Sequence, residues 1–299
     1  MKVAITGSSG LIGTALHRRL EAGGHQVLAV VRRPVEGGEP ALRWDPDAGT
    51  IDRAGLERVD AVVHLAGAGI GDERWTDERK RVVTESRTRS TELLATTLAG
   101  LDAKPSVLVS GSAIGYYGDR GDEVLTEQSA PGDDFLARLC VAWEAAATPA
   151  ADAGIRLATI RTGLVLTPDG GALPKLLPLF KLGVGGRFGS GRQWWSWITL
   201  DDQVDAIVWL LSAEVAGPVN LTAPHPVTNR DFTKVLAHVV HRPALLPVPS
   251  FGPGLLVGRE LAQALLFTSA RVQPAALEAG GYPFHQTELV DGLRSVLEG

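Results

Sequence analysis

Short apolar runs alternate with helical patterns through the first half of the chain. Val3–Thr6, Val27–Val31, Asp60–Leu65, Ser106–Ser110 and Arg156–Arg161 read as strands. Leu11–Ala22 places Leu11, Ile12, Ala15, Leu16 and Leu20 on one side of a helix and Arg18, Arg19 and Glu21 on the other, and Gly23-Gly24 stops it. Trp75–Leu98 and Asp134–Ala147 are two more predicted helices, the first with charges on its outer face. This alternation specifies an α/β fold, a doubly wound parallel sheet with helices on both faces.

After Gly163 the texture changes to Gly, Pro and Trp, as expected of ligand-side loops. From about Thr228 the pattern is helical, with Thr228 and Asp231 spaced like a capping box and a Pro-rich connector between Pro243 and Pro253. The expected division is 1–162 for the sheet domain and 163–299 for a smaller substrate-side and helical region. A strand near 217–222 has the option of rejoining the sheet.

Composition narrows the classes. The 299 residues are 44% hydrophobic and 21% charged, with a net charge of −5. A length near 300 buries a large core. Cys140 is the single cysteine, which excludes an internal disulfide framework and a Cys-based zinc cage. No histidine spacing of the zincin type occurs, so no metal is expected. Mild acidity gives no general attraction for nucleic acid or anionic membrane. No uninterrupted apolar run reaches the length that spans a bilayer, and no signal peptide is evident. The expectation is a cytoplasmic protein with a small-molecule ligand and neither nucleic acid nor membrane as partner. Monomer and homodimer both remain open.

The motif with most chemistry is Thr6-Gly7-Ser8-Ser9-Gly10-Leu11-Ile12-Gly13, which follows a strand and opens a helix. Gly7 permits a tight turn, Gly10 lets backbone approach a pyrophosphate, and Gly13 lets helix and strand pack closely. The free N–H groups of the helix start face the phosphates. Thr6, Gly7, Ser9, Gly10, Leu11, Ile12 and Gly13 are therefore candidate cofactor contacts. The second strand ends in Val31-Arg32-Arg33-Pro34, with no acid where NAD would require one for its ribose hydroxyl. Two guanidiniums suit the 2′-phosphate of NADP, so NADP is expected rather than NAD.

The G-x-x-G-x-x-G spacing, with Asp60–Gly67 and Ser110-Gly111-Ser112-Ala113-Ile114-Gly115-Tyr116-Tyr117-Gly118, resembles the extended short-chain dehydrogenase/reductases, the nucleotide-sugar epimerases and dehydratases. The resemblance implies a Rossmann-type sheet. It also implies Leu65, Ala66 and Gly67 beside the adenosine and ribose, Trp44 and Asp45 near adenine, and Ser112 as catalytic serine.

Typical members add a Tyr and a Lys four residues apart. Here the residues four positions after Tyr116, Tyr117 and Tyr282 are Arg120, Gly121 and Gln286. On the helix from Asp134 to Glu144, Leu136 stands in the Tyr position and Cys140, read as a packed residue, in the Lys position. This pattern narrows the resemblance to the atypical YfcH-like epimerase subfamily, nearly end to end. Ser112 is then expected to donate to a substrate carbonyl, while Tyr116 and Tyr117 either supply a proton or merely shape the pocket.

The same resemblance places Arg161 on a strand leaving toward substrate and Gly171 at an exposed helix start. Gly189–Ile198 carries Arg192, Gln193, Trp194, Trp195 and Trp197, read either as core or as a pocket wall. Arg161, Gly171, Arg192, Gln193, Trp194 and Trp197 are candidate substrate contacts. Arg87, on the long helix, either faces the pocket or is solvated. Thr199 with Asp201 and Asp202 reads as a helix cap. Two functions fit: an NADP-binding epimerase, dehydratase or reductase for an unidentified small carbonyl, alcohol or nucleotide-sugar-like substrate, or a non-catalytic NADP-binding sensor or interaction protein.

Overall fold

The computed structural model describes residues 1–33, 41–244, 247–249 and 251–298. Part of the Pro-rich connector, at 245–246 and 250, therefore lies outside the described residues, as does Pro34.

The chain opens β1 (Lys2–Thr6), α1 (Leu11–Ala22), β2 (Gln26–Val31), β3 (Ala41–Asp45), β4 (Thr50–Ile51), α2 (Arg53–Leu56), β5 (Ala61–His64), α3 (Asp77–Ala99) and β6 (Val107–Ala113). A single 3₁₀ turn at Ile114–Tyr117 leads to β7 (Val124–Leu125), α4 (Phe135–Ala145), α5 (Thr148–Asp152) and β8 (Arg156–Thr162). Then come β9 (Leu164–Leu166), α6 (Leu173–Lys181), β10 (Trp194–Trp195), β11 (Trp197–Thr199), α7 (Leu200–Ser212) and β12 (Gly217–Leu221). The remainder is β13 (Val227–Thr228), α8 (Asn229–Val239), α9 (Phe251–Val257), α10 (Arg259–Ala262), β14 (Arg271–Val272), α11 (Ala275–Ala279) and α12 (Leu289–Leu297).

Eight strands form the central sheet in the order β12-β8-β6-β5-β1-β2-β3-β4. Every neighbouring pair is parallel except β3 with β4. The order reverses at β1, whose neighbours are β2 on one side and β5 on the other. That reversal leaves a crevice at the carboxyl ends, where ligands bind in open α/β sheets.

Parallel strands are covered on both faces, which explains their unbroken apolar runs. Val3, Ile5, Val63, Val109 and Ile160 point to one face, under Leu16 and Leu20 of α1 and Ile207 and Leu210 of α7. Ala4, Val62 and Leu108 point to the other, under Leu94 and Leu98 of α3 and Ala150 of α5. The strand at 217–221 does rejoin the sheet, pairing Gly217–Leu221 with Ala158–Thr162.

β3 and β4 carry no strong sequence signal. Only Leu42 and Trp44 of β3 turn inward, and charged or exposed neighbours flank them. Trp44 is 4% exposed and meets the His64 ring edge-on at 5.9 Å. It is a core side chain packed on His64, not one presented to adenine as the resemblance implies. Beyond the sheet, Trp195, Trp197, Phe180, Phe232 and Leu293 form a separate apolar cluster. Thr199 and Thr228 each accept a hydrogen bond from the backbone N–H three residues on, capping α7 and α8 as their sequences predict.

Candidate active site

The β1–α1 turn is closed to side chains. Gly7 has φ +69°, and a Cβ there would lie 2.8 Å from the Leu65 carbonyl carbon. A Cβ on Gly13 would fall 2.1 Å from the Gly7 oxygen, and one on Gly10 3.3 Å from it. The first turn of α1 has Gly10 as N-cap and no side-chain cap. The N–H groups of Leu11, Ile12 and Gly13 in that turn have no side-chain cap, and Ser9 just before it completes the turn at the carboxyl end of β1. Gly170, beside Gly171 (φ +72°), would place a Cβ 3.0 Å from Leu11 Cδ1. The expected substrate residue Gly171 thus belongs to a turn lying against the cofactor loop.

Thr6, at the end of β1, organises this edge. Its Oγ1 accepts from the backbone N–H of Leu65 and of Ala66, at 3.2 and 3.3 Å, and lies 2.7 Å from His64 Nδ1. His64 Nε2 reaches Thr91 Oγ1 at 2.8 Å on α3, and Trp143 Nε1 on α4 donates to the same hydroxyl at 3.0 Å. Burial, then the Arg87 charge, depresses the His64 imidazole to about 3. Its ring is therefore neutral at pH 7, and it works as a buried connector. Arg32 and Arg33 stand exposed just beyond β2.

Ser112, near the end of β6, is 5% exposed and donates from Oγ to Glu144 Oε1 at 2.7 Å. Glu144 also receives Arg161 through Nε and Nη2, both at 2.8 Å. The Arg161 guanidinium lies 3.4 Å from the Tyr116 ring centroid, and its Nη1 donates to Tyr117 Oη at 3.1 Å. Tyr117 is fully buried and donates to Asn220 Oδ1 at 2.6 Å. Burial pushes its phenol up to about 12, against the Arg161 hydrogen bond.

Three expectations change here. Tyr117 is a buried structural phenol and does not reach a ligand. Arg161, 2% exposed, is the ion-pair partner of Glu144 rather than a substrate contact. Ser112 gives its proton to Glu144, so its lone pairs, not its hydrogen, are left for a ligand. Glu144 itself escaped sequence reading. A signal was available: an arginine on an interior strand favours a buried carboxylate, and Glu144 is the one acid within α4, Phe135–Ala145.

Leu136 is 9% and Cys140 2% exposed. Cys140 Sγ contacts the Ala113 carbonyl at 3.6 Å, and burial, then the Glu144 charge, raises its thiol to about 12. It is packed, as its helical position predicts.

The tryptophan segment divides. Trp197 is fully buried and donates from Nε1 to the His225 carbonyl, which corrects its assignment as a substrate contact. Trp194 donates to Asp122 Oδ1 at 2.8 Å under the Arg271 guanidinium. Arg192 and Gln193 line a cavity of about 280 Å³ with Asp119, Asp122, Ser190 and Ser269. Neither Ser112 nor Tyr116 lines it, so these residues are not brought to the serine. Gln193 spends its amide on the carbonyls of Phe188 and Leu266. Among the described residues no acidic, His or Cys cluster could hold a metal, and no helix is long and apolar enough to cross a membrane.

Residues 3–222 match the NAD dependent epimerase/dehydratase family. The chain belongs to that family. Residues 248–296 match a domain of unknown function, DUF1731. Epimerase family protein Mb2239 of Mycobacterium bovis is 44% identical over 292 residues, covering 97% of this chain and 96% of that one. The crystal structure of the human epimerase family protein SDR39U1, isoform 2, with NADPH superposes with TM-score 0.92 at 35% identity and covers both chains fully. A nucleoside-diphosphate sugar epimerase from Corynebacterium glutamicum gives TM-score 0.82 at 41% identity, over 99% of this chain and 58% of that one. The family match and these two solved relatives agree with the YfcH-like resemblance read from the motifs.

Proposed function

We propose that this chain is an NADP-dependent enzyme of the short-chain dehydrogenase/reductase type, acting on a small carbonyl, alcohol or nucleotide-sugar-like substrate. The observation that carries the reading is the uncapped start of α1 behind a turn that admits no Cβ at Gly7 or Gly13. Such a cradle presents backbone N–H groups and a helix dipole to a pyrophosphate. Arg32 and Arg33, one strand over, suit a 2′-phosphate. The NADPH bound by the human relative supports the same choice.

When bound, the nicotinamide supplies or accepts hydride. Ser112, with its hydrogen held by Glu144, accepts a hydrogen bond from a substrate hydroxyl and fixes the reacting carbon. Tyr116 is half-buried, unlike Tyr117, and on this reading it passes a proton between substrate oxygen and solvent. A cofactor-binding sensor without turnover is the second reading. The observation favouring it is the apolar Leu136–Cys140 face, which offers neither a proton nor a charge.

Titrating NADPH and NADH against the wild type and the Arg32→Ala/Arg33→Ala double variant tests the cofactor. We expect NADPH to bind at least tenfold more tightly than NADH, and the double variant to lose that preference. Equal affinities in both proteins would remove the phosphate clamp. Absorbance at 340 nm with NADPH and aldehydes or ketones, or NADP⁺ and alcohols, together with product analysis of nucleotide sugars, separates the two readings: a net change in NADPH or a converted sugar marks the enzyme, and cofactor bound with every substrate left unchanged marks the sensor.

A further inference from the structure

Arg87 is 7% exposed, yet it has no carboxylate partner among the described residues. Its Nη1 donates to the carbonyls of Ala68 and Val83, at 2.8 and 3.1 Å. Its Nε is buried with no acceptor. The guanidinium lies 5.0 Å from the Trp143 ring centroid, and a Cβ on Gly67 would sit 3.1 Å from its Cζ. Burial lowers it to about 10, and the nearby Arg79 charge adds to the shift, so it remains a cation at neutral pH. Arg79 has its own carboxylates, Asp72 and Glu73. A buried cation beside another cation, with no anion of its own, is costly to fold unless something else supplies the negative oxygen.

Sheet order says what that is. Crossing the carboxyl edge from β2 through β1 and β5 to β6 passes the Arg32–Arg33 pair, the glycine cradle, the Ala66–Ala68 segment and Ser112 in turn. A dinucleotide laid along that edge would have its 2′-phosphate held at β2 by Arg32 and Arg33, its pyrophosphate at the β1 glycine cradle and its hydride-transferring end toward Ser112 at β6. Arg87 stands at the β5 position, between the cradle and the serine. Its charge also reaches Cys140, which occupies the place on α4 where the resembled family has its lysine.

We propose that Arg87 is the counter-cation for the nicotinamide half of the dinucleotide, holding the phosphate or ribose oxygens on that side. It thereby supplies from α3 a charge that α4 lacks. The inference rests on the NADP reading above.

The test compares two ligands that share the adenosine end: NADPH and 2′,5′-ADP, which lacks the nicotinamide half. Calorimetric titration is run on the wild type, Arg87→Lys, Arg87→Met and Arg32→Ala/Arg33→Ala. Arg87→Met is expected to weaken NADPH at least tenfold and leave 2′,5′-ADP within about twofold, a tenfold change being worth about 1.4 kcal/mol. Arg87→Lys, which keeps the charge and secures the test should the Met variant unfold, is expected to retain NADPH affinity within about threefold. The double variant should weaken both ligands. Unchanged NADPH affinity in Arg87→Met overturns the proposal, as does equal weakening of both ligands or a tenfold loss in Arg87→Lys. Failure of the wild type to bind either ligand overturns the cofactor reading itself, and the proposal with it.

Discussion

Thr6 Oγ1 and His64 Nδ1 lie 2.7 Å apart across neighbouring parallel strands. Because Thr6 also accepts from two backbone N–H groups, its one hydrogen is directed at the imidazole. That leaves the proton of a neutral ring on Nε2, facing Thr91. The contact joins the cofactor turn to α3 and, through Trp143, to α4.

This arrangement has a pH signature. The folded-state value for His64, about 3, lies below its ordinary 6.5. Below pH 6.5 the unfolded chain takes up a proton that the folded chain refuses. The stabilisation is therefore complete above that pH and falls as pH drops toward 3, by up to about 1.4 kcal/mol per pH unit. Urea unfolding between pH 7 and 4 should show this slope in the wild type and a shallower one in His64→Gln. Parallel slopes would contradict a buried neutral imidazole.

Gly13→Ala should abolish NADPH binding and destabilise the fold. The added Cβ meets backbone, the Gly7 oxygen at 2.1 Å, so the β1–α1 turn must open. Gly24, whose added Cβ would meet nothing within 4 Å, serves as the control despite its φ of +76°. Gly24→Ala should lower the melting temperature slightly and leave NADPH affinity unchanged.

The two adjacent tyrosines should separate cleanly. Tyr117→Phe strips Asn220 Oδ1 of its donor and takes an acceptor from Arg161, a loss of about 1–3 kcal/mol in thermal or urea unfolding. Tyr116→Phe removes a hydroxyl for which no hydrogen bond is seen among the described residues. It should leave stability within about 0.5 kcal/mol and, if Tyr116 moves the proton, lower single-turnover hydride transfer at least tenfold.

Glu144→Ala should be among the most damaging changes. It strands the nearly buried Arg161 guanidinium and frees Ser112, at a cost of about 3–5 kcal/mol. Glu144→Gln keeps the bond from Ser112 and should be milder. A melting temperature for Glu144→Ala within 2 °C of wild type would show that the pair contributes nothing.

Much of the architecture was legible because it rests on local pattern. The β1–α1 unit combines a strand, three glycines at fixed spacing and an amphipathic helix, and each alone points the same way. β3 and β4 lacked such agreement, since β3 turns only two side chains inward and pairs with β2, while the two-residue edge strand β4 gets its pairing from β3. The site was harder to read. Trp197 and Trp194 are three positions apart in one aromatic run, but only tertiary packing against α12 and the Asp122 loop decides that one is core and the other hydrogen-bonds Asp122 at the surface. Arg161 and Glu144 are 17 residues apart, and no periodicity relates them. Leu136 and Cys140 could be placed by motif, whereas the charge at Arg87 gains meaning only once sheet order sets it between the cradle and the serine.

The position of β12 bears on how the molecule can be divided. It closes the β8 side of the sheet using residues far along the chain, and α7 just before it roofs the same core as α1. A fragment cut after residue 162 would carry the whole glycine motif. It would also bare β8 as an unpaired edge and strip the helix covering Ile160 and Val109, the setting in which strands join between molecules. The two halves are thus not separable modules. Any exchange of the ligand-side region between relatives has to leave 200–221 with the host sheet, which restricts grafting to 163–199 and the segment beyond β12.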